Sequence, residues 1–136
     1  DIYIDELIYE RGLTNQDIGD RIKELGIERR AECFADSSEP KSVEEIFRMN
    51  VINIKPAKKG HDSIRIGIDV MKRHKINITK RSVNTIKEFR NYKWIKDKNN
   101  DITNKPIDAF NHSIDAVRYV CLNKLMVSYS GKYYVS

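Results

Sequence analysis

The sequence predicts an α/β fold with a largely parallel or mixed sheet. Stretches rich in β-branched residues alternate with stretches whose apolar residues recur at helical spacing. The chain of 136 residues is long enough to bury a core of its own. It contains no internal repeat, no low-complexity segment and no obvious linker, so we expect one domain.

The first half predicts three strands and two helices. Residues 1–12 alternate β-branched, aromatic and acidic side chains and end in glycine, which favours a strand. In residues 13–26, Ile18, Ile22 and Leu25 have helical spacing, Thr14 or Asn15 suits the N-cap, and Gly26 suits the C′ position. A buried strand is expected in residues 31–38, then a helix opened by Pro40, then a strand in residues 51–60 that runs into a basic turn.

The two middle helices of the remaining chain are predicted from their apolar positions. Ile64, Ile68 and Met71 align in residues 62–74, and Val83, Ile86 and Phe89 would align in residues 82–92. By the same criterion, the apolar side of the helix opened by Pro40 comprises Val43, Ile46 and Phe47.

The other segments of this half are a strand, a hairpin and a long helix. A short strand is expected in residues 75–79, an exposed hairpin or loop in residues 93–106, and a final long helix up to Leu125. The buried stripe of that helix would hold Ile114, Val117, Cys121 and Leu125.

Composition narrows the functional classes. Apolar residues make up 40% and charged residues 33% of the chain, no run is long enough for a membrane span, and the acidic start is unlike a signal peptide. Cys33 and Cys121 lie far apart in apolar runs, which favours buried free thiols over a disulfide. A net charge of +5 indicates, weakly, a polyanionic partner.

Three residues are candidates for chemistry. Asp36 ends a predicted strand, where open α/β sheets place ligands, although a turn Asp that accepts local backbone hydrogen bonds fits the same pattern. His112 and Asp115 share one face of the final helix with Asp108. An ion pair between Asp115 and Arg118, and a helix-capping role for Asp108, are the structural alternatives.

Together these residues predict a metal site. Carboxylates on a strand end and on a facing helix can hold divalent cations between them, which relieves their mutual repulsion. Oxygen ligands with one imidazole fit Mg²⁺ or Mn²⁺, and two such ions can hydrolyse a phosphodiester. Zinc fits poorly, and neither a P-loop nor a dinucleotide fingerprint is present.

Basic residues supply a candidate DNA contact. Lys55, Lys58 and Lys59 lie on a turn after a strand, where they could meet phosphates, although solvation alone would also explain them. A second basic cluster, residues 72–75, is better explained by interaction with a helix C-terminus.

Three segments in this order carry a family resemblance. They read "FADSSEP", "KPAKKGHDSIRIGIDVMK" and "NHSIDAVRY", after an opening strand-then-helix stretch, "DIYIDELIYERGLTNQDIGDRI". They resemble the C-terminal nuclease domain of phage terminase large subunits, the DNA-packaging motors of tailed bacteriophages. The resemblance covers residues 1–125, which we expect to be the nuclease domain, with residues 126–136 as a tail.

The resemblance implies a fold, an activity and a set of site residues. The fold is an RNase H-like mixed sheet flanked by helices, and the activity is metal-dependent cleavage of concatemeric viral DNA during packaging. Asp36 and Asp115 would bind Mg²⁺ or Mn²⁺ at a two-metal site, with His112 as their companion. Double-stranded viral DNA, the terminase small subunit, the portal and the ATPase domain of the large subunit would be partners, in the cytoplasm of the bacterial host.

The resemblance also implies an incomplete site. Family members begin this domain with two strands that would precede residue 1, and the first of these bears another catalytic Asp. We therefore expect a partial metal site with weak or no nuclease activity in this chain alone, and exposed sheet edges paired in a homo-oligomer. A non-catalytic DNA-binding module and another RNase H-like nuclease, such as a resolvase or transposase, are the alternatives.

Overall fold

The structure, a computed structural model, describes residues 1–58, 60, 62–92, 94–96, 102–106 and 112–125. Helices and strands alternate along the chain as predicted. In order they are β1 (Ile2–Ile4), α1 (Asn15–Glu24), β2 (Glu32–Ala35), α2 (Pro40–Arg48), β3 (Asn53–Pro56), α3 (Ser63–Lys72), β4 (Ile76–Ile78), α4 (Val83–Asn91), β5 (Trp94–Lys96), β6 (Ile102–Pro106) and α5 (His112–Val120), which continues as a π-helical turn (Cys121–Leu125).

The described strands form three pairs. β1 pairs with β4 and β2 pairs with β3, both in parallel, whereas β5 and β6 are antiparallel. The antiparallel pair confirms the hairpin expected in residues 93–106. The parallel pairs are each joined through helices, as parallel connections require.

The chain divides into two compact units. Residues 7–58 form a continuous unit, and residues 1–6 with 59–136 form a discontinuous unit. The predicted boundary between a domain at residues 1–125 and a tail at 126–136 stays a prediction, because the tail lies outside the described residues.

The continuous unit is built from α1, β2, α2 and β3. Its core cluster of buried apolar side chains comprises Ile22, Val43, Ile46, Val51, Ile52 and Ile54. Helix α1 begins at a reciprocal cap, in which the Thr14 side chain accepts from the Asp17 amide and the Asp17 carboxylate accepts from the Thr14 amide, both at 3.0 Å. Gly26 has φ +68°, the left-handed conformation that a C′ glycine supplies at low cost. Thr14 is therefore confirmed as the N-cap of this helix and Gly26 as its C′ residue.

The discontinuous unit packs α3, α4 and α5 with the β1–β4 pair. Its buried apolar side chains are Ile68, Val70, Met71, Ile114 and Cys121, with Val117 and Leu125 packed against them. The predicted apolar stripe of α5 is thereby confirmed. Both cysteines are free thiols, and burial raises the pKa of each.

Three expectations about strand length and helix faces were wrong. The strand predicted over residues 1–12 covers only Ile2–Ile4, and the next two residues, Asp5 and Glu6, accept hydrogen bonds from Thr79 and Thr85 through their side chains. Val83 and Phe47, expected on apolar faces, are 63% and 57% exposed. The side of α4 that is buried carries Thr85 and Glu88, which are 1% and 2% exposed. No helix among the described residues is long and apolar enough to cross a membrane.

Candidate metal centre

Asp36 immediately follows β2, at the carboxyl end of the β2–β3 pair. Its Oδ1 accepts a hydrogen bond from the Ser38 amide at 3.0 Å, and the residue is exposed. The local backbone bond that was weighed against a ligand role is therefore present. A carboxylate has about four lone-pair sites, so one such bond orients the group and is compatible with metal binding.

The predicted DNA-binding lysines differ in their surroundings. Lys55 Nζ lies 3.0 Å from Glu32 Oε2 and 6.0 Å from the centroid of the Phe34 ring, so part of its charge is already compensated. Lys58 is exposed and follows β3, directly after Ala57. Lys59 lies outside the described residues.

The edge that carries Asp36 also carries Lys58. The Ala57 amide donates to the Ala35 carbonyl at 2.7 Å, so the pairing of the two strands continues to this point. Asp36 and Lys58 therefore both follow strands that end at the same edge. This edge of the continuous unit can thus present one carboxylate and one ammonium group.

Helix α5 begins at His112, and a buried carboxylate from α4 caps it. Glu88 Oε1 accepts from the Ser113 amide at 2.7 Å and from the Ile114 amide at 3.1 Å. The first N–H groups of a helix have no partner within it, so this carboxylate satisfies two of them and complements the helix dipole. Asp108, expected to cap this helix, lies outside the described residues.

His112 and Asp115 lie three residues apart on α5, and therefore on one face. Asp115 is half-buried and its Oδ1 accepts from Arg118 Nη2 at 3.2 Å, so the ion pair weighed as a structural alternative is present. Burial raises the pKa of Asp115 and outweighs Arg118 and His112, whose positive charges lower it, while Glu88 adds to the increase. A cation beside this carboxylate would oppose the effect of burial.

Arg118 is held in place by close packing. It is only 4% exposed, and its aliphatic stem lies against Gly67 of α3. Its guanidinium carbon lies 4.9 Å from the centroid of the neighbouring Tyr119 ring. The carboxylate of Asp115 therefore has a fixed, buried partner on one of its two oxygens.

The candidate ligands fall in the two units. Asp36 lies in the continuous unit, whereas His112 and Asp115 lie together in the discontinuous unit. Within the described ranges, no three His, Cys, Asp or Glu side chains form a group that could hold a metal ion. The oxygen and imidazole donors present have the chemistry that Mg²⁺ and Mn²⁺ use, and convergence of Asp36 with Asp115 stays a prediction.

Sequence reasoning missed the polar contacts that support α5. Thr85 and Glu88 are three residues apart in a segment whose apolar residues predicted that a different face is buried. Their shared face was the available signal, because residues at that spacing are neighbours on a helix.

Comparison with known proteins agrees with this α/β architecture. The model of the terminase RNase H-like domain family matches residues 1–122. The chain belongs to this family, which confirms the resemblance to terminase large-subunit nuclease domains and the RNase H-like fold class.

Two relatives come from the same phage. The chain is 40% identical over 93 residues to the terminase large subunit of Bacillus phage SPP1, a match that covers 65% of this chain and 22% of that protein. The chain thus spans about a fifth of the length of this curated relative. The crystal structure of the large terminase nuclease domain from bacteriophage SPP1 with bound Mn superposes with a TM-score of 0.74 and 33% identity, covering 86% of this chain and 67% of that one.

Proposed function

We propose that this chain acts as the metal-dependent endodeoxyribonuclease domain of a phage terminase large subunit and cleaves concatemeric viral DNA during genome packaging. The observation that carries the proposal is the pair formed by His112 and the half-buried Asp115 on α5. Membership of the terminase RNase H-like family and the Mn bound in the SPP1 nuclease domain support it.

Asp36, Asp115 and His112 are the proposed metal ligands and catalytic residues. Bound Mg²⁺ or Mn²⁺, two ions in the complete site, would activate water and stabilise the leaving oxygen of the phosphodiester. Asp36 contributes a carboxylate oriented by the Ser38 amide, and Asp115 contributes one oriented by Arg118. His112 adds an imidazole on the same helical face as Asp115.

Lys55, Lys58 and Lys59 are the proposed DNA-binding residues. Lys55 forms an ion pair with Glu32, so a phosphate would have to share its ammonium group with that carboxylate. Lys58 emerges at the edge that carries Asp36, where an ammonium group would hold a phosphate near that carboxylate.

The remaining assignments follow from the family. Double-stranded viral DNA, the terminase small subunit, the portal and an ATPase domain of the large subunit are the proposed partners, in the cytoplasm of the bacterial host. A homo-oligomer that pairs exposed sheet edges is a further proposal, and a mass in solution that rises with concentration would support it.

Metal binding and cleavage test the proposal together. Titration with Mn²⁺, followed by electron paramagnetic resonance, should show binding that Asp115→Asn weakens at least about tenfold. Asp69→Asn is the matched control, since Asp69 is an exposed carboxylate on α3 of the same unit. Any cleavage of supercoiled and linear DNA should require Mn²⁺ or Mg²⁺, stop with EDTA, and be lost in the same variant.

The outcomes separate the candidate functions. Chelator-insensitive DNA binding with neither Mn²⁺ binding nor cleavage would overturn the nuclease and favour a non-catalytic DNA-binding module. In salt titrations, Lys58→Ala should lower the slope of log affinity against log salt by about 0.9, one phosphate contact, whereas Lys80→Ala should leave it unchanged. Equal slopes for wild type and Lys58→Ala would remove this lysine from the interface.

A further inference from the structure

Glu88 is the most deeply buried carboxylate among the described residues, and the proposed mechanism does not use it. It is 2% exposed and lies on α4, whereas the candidate ligands of this unit lie on α5. Burying a carboxylate is costly unless hydrogen bonds compensate, so its position calls for a physical reason. Its two bonds to the amides of Ser113 and Ile114 supply that reason.

The hydrogen bonds that Glu88 accepts come from the helical turn that carries both candidate ligands. Ser113 and Ile114 lie between His112 and Asp115 in the sequence. Fixing their amides fixes the backbone from which both ligand side chains project, so the directions of those side chains depend on the cap. A shift of the first turn would move the imidazole and the carboxylate together.

The helix that supplies Glu88 is itself anchored by buried polar contacts. Glu6 Oε1 accepts from the Thr85 amide at 2.8 Å and from its hydroxyl at 2.9 Å. The Thr85 hydroxyl also lies 2.9 Å from the Ser113 hydroxyl. The segment after β1, the buried side of α4 and the first turn of α5 are thus joined by one chain of hydrogen bonds.

We propose that Glu88 is a positioning residue for the metal centre, which sets the orientation of His112 and Asp115 by holding the first turn of α5. The inference rests on the proposed function. A partner that orients a metal ligand without touching the metal typically changes metal affinity by 10–100-fold when it is removed. Since one oxygen of Glu88 accepts both hydrogen bonds of the cap, a neutral oxygen in the same place should largely preserve the cap.

Two substitutions separate this role from others. Glu88→Ala removes the cap and should weaken Mn²⁺ affinity by about tenfold or more. Glu88→Gln keeps an oxygen that can accept both amide bonds, so its Mn²⁺ affinity should stay within about threefold of wild type, because charge-assisted bonds are only about twice as strong as neutral ones. If Glu88→Gln lost as much affinity as Glu88→Ala, the negative charge and not the cap would be responsible, and the proposal would be overturned.

A merely structural role is excluded by a second measurement. Ile68→Ala removes part of the core of the same unit and should lower thermal stability without changing Mn²⁺ affinity, measured where every variant is folded by circular dichroism. Hydrogen exchange of the Ser113 and Ile114 amides should accelerate by about tenfold or more in Glu88→Ala but not in Ile68→Ala. Unchanged exchange at these amides would refute the cap irrespective of any metal.

Wild type and Asp115→Asn distinguish failure of this inference from failure of the proposed function. If wild type binds Mn²⁺, Asp115→Asn loses it and Glu88→Ala retains wild-type affinity, the metal centre stands and the positioning role falls. If wild type and Asp115→Asn bind Mn²⁺ equally weakly, the proposed function falls, and the inference falls with it.

Discussion

Replacing Gly67 by alanine tests the packing that holds Arg118 beside Asp115. A Cβ at Gly67 would overlap Arg118 Cγ and would lie 3.0 Å from Arg118 Cδ and 3.3 Å from Leu122 Cγ. Carbon atoms in contact are normally about 3.5–4.0 Å apart, so the Arg118 stem must move by about 1 Å. At 4% exposure this side chain has no open space into which it can move.

The magnitude follows from two opposing effects. Alanine favours a helix interior over glycine by about 1 kcal/mol, whereas inserting a methyl group into a packed region costs about 1–3 kcal/mol. Gly67→Ala should therefore lower the free energy of unfolding by about 1 kcal/mol, opposite in sign to the effect of helix propensity alone. Because Arg118 lowers the pKa of Asp115, displacing it should also raise that pKa further above the ordinary value.

Gly19→Ala is the matched control for this prediction. Gly19 lies inside α1, and its added Cβ would lie 2.6 Å from Met49 Sδ. The thioether sits near the end of a flexible, half-buried side chain that can turn away at little cost. This substitution should stabilise the protein by about 0.5–1 kcal/mol. Urea unfolding followed by circular dichroism measures both, and equal stabilisation by the two substitutions would refute the packing described for Arg118.

Three further predictions concern a cap, a core residue and an ion pair. Thr14→Ala should cost about 1 kcal/mol in urea unfolding and Thr14→Ser a few tenths at most, and equal losses would show that the capping oxygen is unimportant. Ile114→Ala, at 2% exposure, should cost about 2–5 kcal/mol, whereas Val120→Ala, at 44%, should change stability by less than about 0.5 kcal/mol. The pKa of Asp5 is lowered from 3.8 to about 2, and hydrogen bonding to Arg81 is the largest cause. The Asp5 carboxylate therefore stabilises the folded state above pH 3.8, and this contribution is lost as the pH falls through 2. Carboxyl titration by NMR should find that value in wild type and a return toward 3.8 in Arg81→Ala, and an unchanged pKa in this variant would contradict the pairing.

The sequence predicted best those elements whose signals are local. Thr14, Asp17 and Gly26 define α1 through contacts within a few residues, so both of its ends could be read from residue types alone. The apolar stripe of α5 could be read equally well, because Ile114 and Cys121 are apolar residues at helical spacing that are buried in one cluster.

The face of α4 could not be read in the same way. Its buried positions hold Thr85 and Glu88, whose partners are Glu6, Ser113 and the amides of α5. Those partners are distant in sequence, and periodicity of apolar residues carries no information about them. Val83 was consequently assigned to the buried side, although it is 63% exposed.

The candidate site was predictable as a set of residues but not as a set of contacts. Asp36 and Asp115 stood out by position, yet their bonds to the Ser38 amide and to Arg118 could be offered only as alternatives. The local spacing permits these bonds without requiring them. Glu88, which caps the helix bearing Asp115, depended on the packing of two helices and had to be observed.

The discontinuous unit has a consequence for expressing parts of this chain separately. A fragment starting at residue 59 would lack β1, so the backbone of β4 would lose its hydrogen-bonded neighbour. It would also lack Glu6, so the Thr85 amide would lose its acceptor. Residues 7–58, by contrast, contain β2, β3, α1 and α2 in one continuous stretch of chain. Separate expression of the two parts should consequently yield an aggregating product for the former and a soluble one for the latter.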